Sequence, residues 1–228
     1  MFRKRPSPDP APVSDAPAAQ IVDAFHRLYY EHNDGATTWR DTYWMGVPTR
    51  KCPLDLWVYQ EILHERRPTL IIECGTAFGG SALYLAHLCD LLNCGRVATI
   101  DIDITSYGER PQHPRIRYLN GSSVDDSIIA GLREQITDRD RVMVILDSDH
   151  SRDHVLAELR AYSRLVTAGD YLIVEDTSVN GHPVFADFGP GPMEALDEFL
   201  AENNDFEIDA SREKLLLTFN PRGYLRRR

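Results

Sequence analysis

Two stretches decide the fold of this chain: VMVILDSDH at 142–150 and YLIVED at 171–176. Short runs rich in β-branched residues are typical of strands buried on both faces of a parallel sheet. Each run stops on carboxylates, so both strands are predicted to emerge at the edge where open α/β sheets bind ligands. Carboxylates that meet there repel one another unless a cation compensates them. The pair therefore predicts a site for a divalent metal ion.

The bulk composition indicates one large domain. A length of 228 residues suffices for a single α/β core, and the net charge of −10 argues against binding to nucleic acid or to anionic membranes. The four cysteines form no CxxC pair, which favours a reducing, cytoplasmic compartment. No run approaches the roughly 18 apolar residues that span a bilayer. The terminal Arg226-Arg227-Arg228 is interpreted as a solvated tail.

Strands and helices alternate from residue 67 onward, which predicts parallel βαβ units and a Rossmann-like α/β fold. Residues 1–19, rich in Pro and Ala, are predicted to be a disordered arm. Residues 20–66 are predicted to form a helical and aromatic segment that serves as a lid or an interface, and residues 67–228 are predicted to form the SAM-binding methyltransferase core. The predicted strands are 69–74, 96–101, 116–119, 142–147 and 171–175, with a C-terminal hairpin of 206–209 and 215–219. The predicted helices are 20–32, 54–65, 80–93, 125–135, 153–166 and 192–203.

A glycine-rich loop follows the first predicted core strand in LIIECGTAFGGS at 70–81. Glycines let the backbone approach a ligand, and the next helix offers free N–H groups. The next strand ends on Asp101 and Asp103, which suit the hydroxyls of a ribose. Glu73 disfavours a nearby pyrophosphate and suits an ammonium group, so the loop favours S-adenosylmethionine (SAM) over an ordinary βα turn. The predicted cofactor-binding residues are Glu73, Gly75, Thr76, Gly79, Ser81, Asp101, Asp103 and, at the adenine, Ser122 and Ser123.

The second candidate site combines the two charged strand ends. All-oxygen ligands favour Mg²⁺ or Mn²⁺, and the candidate ligands are Asp147, Asp149, Glu175 and Asp176. His150 follows Asp147 by three residues and is a suitable general base for a hydroxyl. Asp147 is the other candidate catalytic residue, because it would bind the metal ion, and a metal-bound hydroxyl loses its proton more easily. Asp147 or Asp149 can instead cap the following helix.

Seven motifs in fixed order carry a resemblance to a known family. They are WMG at 44–46, ECGTAFGGS at 73–81, LDSDH at 146–150, VED at 174–176, NGHP at 180–183, GPGP at 189–192 and LTFNP at 217–221. The chain resembles the cephalosporin-hydroxylase-type family of SAM-dependent, metal-dependent O-methyltransferases. The resemblance implies a class I methyltransferase fold, with a seven-stranded, mostly parallel sheet, helices on both faces and one antiparallel strand. It also implies that the metal ligands are Asp147 or Asp149 together with Glu175 and Asp176.

These observations predict a SAM-dependent, divalent-metal-assisted O-methyltransferase. Its acceptor is expected to be a hydroxyl of a small molecule or of a glycosylated natural product, and the enzyme is expected to be a cytoplasmic homo-oligomer. Two alternatives stay open: an oxidative, hydroxylase-type enzyme and a non-catalytic partner subunit that retains the fold. The identity of the acceptor and the choice between Asp147 and Asp149 also stay open.

Overall fold

The structure is a computed structural model that describes residues 17–31, 38–103 and 105–228. Most of the predicted disordered arm, 1–19, lies outside these ranges. The nine strands are β1 (Tyr43–Trp44), β2 (Val47–Pro48), β3 (Leu70–Cys74), β4 (Arg96–Asp101), β5 (Ile116–Asn120), β6 (Val142–Leu146), β7 (Tyr171–Val174), β8 (Phe206–Ile208) and β9 (Tyr224–Arg227). The six α-helices of the same ranges are α1 (Ala18–Glu31), α2 (Pro53–Arg66), α3 (Gly80–Leu92), α4 (Asp126–Gln135), α5 (Arg152–Tyr162) and α6 (Pro192–Glu202).

Seven of the strands form one sheet in the order β5-β4-β3-β6-β7-β9-β8. Neighbours from β5 to β7 pair parallel, and β9 pairs antiparallel with both β7 and β8. The predicted Rossmann-like fold with one antiparallel strand is therefore confirmed. No helix in the described part of the chain is long and apolar enough to cross a membrane.

Apolar clusters cover both faces of the sheet. Strand β3 shows the alternation, because Ile72 and Cys74 pack with α5 and α6 on one face while Ile71 packs with α2 and α3 on the other. This two-sided burial explains why the strands read as continuous apolar runs. Each fully buried Leu or Ile contributes about 1.5–3 kcal/mol to stability. Helix α2, predicted to belong to the lid or interface segment, is part of this core.

A close backbone contact joins the ends of β3 and β6. Gly75 has φ +95°, and a Cβ atom built on it would lie 1.7 Å from the carbonyl oxygen of Asp147. Glycine is therefore the residue that both the conformation and the space require. The contact holds the glycine loop against the carboxylates that follow β6.

The predicted C-terminal hairpin is wrong in its second strand. Residues 215–219 form no strand, and the strand is Tyr224–Arg227, which lies between β7 and β8. Its first two residues, Tyr224 and Leu225, are fully buried on opposite faces of the sheet. The terminal arginines are thus not a free tail, since Arg226 and Arg227 pair with residues of β7 and β8. Helix α5 also ends at Tyr162, four residues before the predicted end at 166.

An aromatic cluster holds helix α1 over one end of the sheet. The ring of Tyr30 lies 4.6 Å from Phe219, 5.1 Å from Trp39 and 5.2 Å from Phe185, measured between ring centroids. Aromatic pairs at such distances add about 0.5–1.5 kcal/mol each to their area burial. The cluster therefore fixes the N-terminal segment next to the segments that follow β7 and β8.

Candidate active site

Two charged strand ends lie side by side at the carboxyl edge of the sheet. Leu146 stands opposite Val174 in the β6–β7 register, and the amide of Glu175 donates to the carbonyl oxygen of Leu146 over 2.9 Å. The amide of Asp147 donates over 2.8 Å to the carbonyl oxygen of Cys74, at the end of β3. The sheet therefore delivers Asp147 and Glu175 together, beside the glycine loop.

A cluster of two carboxylates and one imidazole lies at this edge. His150 Nε2 is 3.2 Å from Asp147 Oδ1 and 3.4 Å from Asp176 Oδ2. One ligand atom from each of the three side chains lies within 4.8 Å of the others. Asp176 has φ +52°, a conformation uncommon for a residue with a side chain. Its amide donates to Asn220 Oδ1 over 3.1 Å, and the hydroxyl of Tyr30 hydrogen-bonds its carboxylate.

A buried ammonium group lies between the two strand ends. Lys51 Nζ donates to Asp147 Oδ2 and to Glu175 Oε1, both over 2.6 Å, and Lys51 is only 3% exposed. The hydroxyl of Tyr59 also donates to Glu175 Oε1, over 2.7 Å. One oxygen of Glu175 is therefore fully engaged, whereas Asp147 places one oxygen on Lys51 and the other near His150.

Burial works against every charge in this centre, and the neighbouring groups decide the sign of each shift. Burial would raise the pKa of Asp147, but Lys51 and His150 together outweigh it and lower this pKa. Burial would likewise lower the pKa of Lys51, but the neighbouring carboxylates together outweigh it and raise this pKa. Burial and the charge of Asp147 together raise the pKa of Glu175. Burial also raises the pKa of Asp176. Although burial opposes it, the charge of Asp176 and the hydrogen bond to Asp147 raise the pKa of His150 to about 9. The centre thus carries negative charge that a cation would relieve.

The donor set fits a hard divalent cation. Carboxylate oxygens are the ligands that Mg²⁺ and Mn²⁺ prefer. Non-haem Fe(II) oxygenases use two histidines and one carboxylate. The cluster of Asp147, His150 and Asp176 instead has one histidine and two carboxylates. The geometry therefore favours the oxygen-ligated cation over the oxidative alternative.

A cavity of about 480 Å³ extends from Asp147 along the ends of β3, β4 and β5. Residues 48–50, which end the β1–β2 hairpin and follow it, also line the cavity. The predicted site residues in its wall are Gly75, Thr76, Ser81, Asp101, Ser122, Ser123, Asp147 and Asp149. The cavity and the metal-type cluster meet at Asp147.

Two acidic residues of the predicted cofactor set have defined surroundings. Asp101 Oδ2 accepts hydrogen bonds from the amides of Thr76 (3.1 Å) and Ala77 (2.8 Å), which fixes the carboxylate beside the glycine loop. Glu73 is fully buried and accepts from Thr99 Oγ1 over 2.7 Å. Its other oxygen, Oε1, has no hydrogen-bond partner among the described residues, and burial raises the pKa of the Glu73 carboxyl group. An unpaired acceptor suits a cationic group of a ligand, although Glu73 itself does not line the cavity.

The remaining predicted residues lie apart from these contacts. Asp103 accepts from the amides of Thr105 and Ser106 over 2.9 and 3.0 Å, and it does not line the cavity. Asp149 is exposed on the rim of the cavity and accepts from the amide of Ser151 over 2.7 Å. Gly79, with φ +81°, immediately precedes α3 and does not line the cavity. Asp147, not Asp149, belongs to the carboxylate–imidazole cluster.

Sequence reasoning missed the groups that the N-terminal segment contributes to the centre. Lys51, Tyr59 and Tyr30 all contact its carboxylates. One signal was present, because the chain has 25 basic residues of which only three are lysines: Lys4, Lys51 and Lys214. Lysine offers a compact point charge where arginine offers a planar fork. A rare lysine directly after an aromatic segment was therefore a candidate for a special position.

Comparison with known proteins places the chain among methyltransferases. A family model described as rhamnosyl O-methyltransferase/CmcI matches residues 36–228. A rhamnosyl O-methyltransferase of Mycobacterium leprae is 39% identical over 218 residues, which cover 93% of each chain. Another of Mycobacterium bovis is 39% identical over 214 residues, 92% of this chain and 86% of the relative.

The fold also matches a solved structure. A CmcI structure with Mg and SAM superimposes with a TM-score of 0.66 at 23% identity, and the match covers 99% of this chain and 92% of that one. At this identity the likeness concerns the fold alone.

Proposed function

The chain belongs to the rhamnosyl O-methyltransferase/CmcI family, and from this membership we propose that it methylates a sugar hydroxyl with SAM as the methyl donor. O-methyl transfer is the chemistry of the family. The acceptor class is a hydroxyl of a small molecule or of a glycosylated natural product, with a rhamnosyl group as the first candidate because the curated relatives are named for it. The observation that carries the proposal is the cluster of Asp147, His150 and Asp176 at one end of the cavity.

The methyl donor fits the cavity by its chemical groups. Gly75 and Thr76 border the cavity, and Asp101, held by amides of the glycine loop, would accept the ribose hydroxyls. The unpaired Oε1 of Glu73 is the acceptor we assign to the ammonium of the methionine moiety. Ser122 and Ser123 line the far wall, beyond the end of β5, where the adenine would lie.

We assign the divalent cation to the carboxylate cluster. Asp147 and Asp176 are its central ligands, and Glu175 contributes only through the oxygen that Lys51 and Tyr59 do not engage. When bound, Mg²⁺ or Mn²⁺ would orient the acceptor hydroxyl and lower its pKa. The CmcI structure with Mg and SAM supports the pairing of these two groups on this fold.

His150 is the residue that we propose as the acceptor of the hydroxyl proton. It lies within 3.4 Å of both central carboxylates, whose charge holds a proton on its ring. His150 can therefore accept a proton only when the charge on Asp147 and Asp176 is compensated. Base catalysis and metal binding are coupled in this arrangement, so the proton leaves the acceptor only in the loaded enzyme.

The first test is the dependence of methyl transfer on Asp176. Asp176→Ala should abolish turnover of SAM with a rhamnosylated acceptor, measured by mass spectrometry of the methylated product in the presence of Mg²⁺. The loss should exceed the roughly 10–100-fold that removal of a residue supporting a metal ligand produces. Binding of S-adenosylhomocysteine, measured by calorimetry, should stay close to that of the parent, because Asp176 does not line the cavity.

The matched comparison is Asp149→Ala, which removes a carboxylate that lies two residues from Asp147 but outside the cluster. This variant should keep turnover that EDTA inhibits. If the parent transfers methyl groups equally well with and without EDTA, the metal assignment is wrong. If Asp149→Ala loses metal dependence and Asp176→Ala keeps it, the ligand assignment is wrong.

A further inference from the structure

A buried carboxylate lies behind the wall of the cavity that the loops after β5 and β6 form. Glu158 on α5 is fully buried, and its Oε1 accepts hydrogen bonds from Ser123 Oγ over 2.5 Å and from Ser148 Oγ over 2.6 Å. The two serines follow β5 and β6 and line the cavity together with His154. One acidic residue therefore controls polar groups from three segments of the wall. Neither the metal-type cluster nor the assigned ribose contact uses it.

The hydrogen bonds to Glu158 determine what the serines can offer a ligand. A serine hydroxyl has one proton to donate and two lone pairs with which to accept. Because Ser123 and Ser148 both commit their proton to Glu158, they present only lone pairs toward the cavity. A ligand group that faces them must therefore be a hydrogen-bond donor.

His154 fits the same polarity. Its Nε2 lies 3.1 Å from Ser123 Oγ and 3.4 Å from Glu158 Oε1, two atoms that act as acceptors in this arrangement. The Nε2 atom therefore carries a proton and donates, and it cannot receive the proton of Ser123. The imidazole thus reinforces the orientation of the Ser123 hydroxyl instead of reversing it.

The same part of the cavity offers an apolar surface to a flat ring. Ile102, which follows β4, lines the cavity although the residue is 75% exposed. Gly121 follows β5 and lines the cavity without adding a side chain. A planar base placed between these residues would cover Ile102 and bring its polar edge to the two serines.

We propose that Glu158 makes this site selective for adenine by fixing the Ser123 and Ser148 hydroxyls as acceptors for the 6-amino group. The proposal rests on the proposed function, which places the adenosine part of the methyl donor in this cavity. Hypoxanthine has a 6-oxo group, which is an acceptor and would face the serine lone pairs. An unpaired buried acceptor weakens binding by roughly 10–100-fold. Glu158 acts through the serines and is a positioning residue.

The test compares two ligands that differ at this position. Calorimetry on the full chain should show S-adenosyl-L-homocysteine binding roughly 10–100-fold more tightly than S-inosyl-L-homocysteine. Glu158→Gln keeps an oxygen acceptor and should keep this preference. Glu158→Met removes the acceptor, frees both serine protons to turn toward the ligand, and should reduce the preference to within about threefold. The ratio of the two affinities isolates the effect, since a structural role alone would weaken both ligands alike.

Ser163→Ala provides the matched control, because Ser163 follows α5, the helix of Glu158, but its hydroxyl donates to the carbonyl oxygen of Arg160 and it does not line the cavity. It should leave the ratio unchanged. If Glu158→Met does not fold, Ser148→Ala carries the test, since it removes one of the two fixed acceptors and should lower the ratio. The inference is overturned if the parent binds the two ligands equally well, or if the ratio of affinities is unchanged in Glu158→Met and in Ser148→Ala. Failure of the parent to bind S-adenosylhomocysteine at all overturns the proposed function instead.

Discussion

At the scale of single residues, the carboxylate centre depends on the positive charge of Lys51, which the N-terminal segment contributes. Lys51 bridges Asp147 and Glu175, which lie 96 and 124 positions away in the chain. Removing one partner of a buried ion pair leaves the others uncompensated, and this costs more than the pair itself contributes. The ammonium therefore stabilises the carboxylate centre whenever no metal ion is bound.

This role predicts the behaviour of Lys51→Met. In EDTA, urea denaturation should show a free energy of unfolding lower than that of the parent by about 3 kcal/mol, the lower end of the range for buried pairs, because the buried carboxylate of Glu175 and the partly exposed carboxylate of Asp147 lose their cation. Mg²⁺ should restore more stability to the variant than it adds to the parent. Lys214→Met is the control, because Lys214 pairs with Glu61 at the surface and such pairs contribute about 1 kcal/mol or less. Equal stability of Lys51→Met and the parent would contradict the role.

Some residues of the candidate site can be predicted from the local sequence, and others depend on how distant segments pack. The positions of Asp147, Glu175 and Asp176 at one edge of the sheet could be predicted, because these residues follow continuous apolar runs that are typical of buried parallel strands. Asp101 could be predicted for the same reason. The rarity of lysine marks Lys51 as unusual, but the partners of Lys51 and Tyr59 could not be predicted, since they are set by how the N-terminal segment packs across the sheet. Asp103 and Asp149 have the right residue type, but local backbone amides engage them.

At the scale of elements, the parallel strands followed directly from the sequence and the last strand did not. The run Leu215-Leu216-Leu217 has the apolar character of a strand, yet Leu216 is 71% exposed and Leu217 packs in the aromatic cluster. Strand β9 carries only Tyr224 and Leu225 as apolar residues before its arginines. Burial between β7 and β8 overrides this weak local pattern. The segment between β8 and β9 instead supplies Asn220, which orients Asp176.

The attachment of helix α1 should depend on pH through His26. Burial lowers the pKa of His26 to about 4, against a weaker opposing effect of Asp23. The native state keeps this imidazole neutral, so its contribution is complete above pH 6.5 and is lost as pH falls from 6.5 toward 4. The contribution of His26 to the free energy of unfolding should therefore be about 3 kcal/mol smaller at pH 4 than above pH 6.5.

The measurement is urea denaturation at several pH values in the parent and in His26→Phe. Phenylalanine keeps the stacking on Phe219, whose ring centroid lies 5.6 Å from that of His26, and it cannot bind a proton. The difference in unfolding free energy between the two proteins should therefore widen as pH falls through this window. If the unfolding free energies of the two proteins change with pH in the same way, the pKa of His26 is not lowered in the native state.

At the scale of the whole molecule, one edge of the sheet gathers every group that the proposed reaction needs. The cavity lies over β3, β4 and β5, and the cation centre lies at β6 and β7, with Asp147 belonging to both. The N-terminal segment reaches this edge from the other direction through Lys51 and residues 48–50. The two ligand sites are thus adjacent, and each is built on rigid strand ends.

This arrangement predicts stabilisation of the entire chain by the product of the methyl donor. S-adenosylhomocysteine at a concentration of 100 times its Kd should add about 2.7 kcal/mol to the free energy of unfolding. A chain of this size should respond with a rise of several degrees in Tm, measured by calorimetry or thermal shift. Asp101→Ala should remove most of the rise at the same ligand concentration, since it deletes the proposed ribose acceptor. An unchanged rise would remove Asp101 from the cofactor site.

The position of Lys51 also constrains how members of this family can be recombined. A chimera that exchanges the segment before α2 in order to change the acceptor also exchanges the ammonium between Asp147 and Glu175. A donor segment with an uncharged residue at this place would change the electrostatics of the carboxylate centre together with the part of the cavity wall that residues 48–50 form. Swaps intended to alter specificity should therefore keep Lys51 with the recipient core, with crossover points chosen on its N-terminal side.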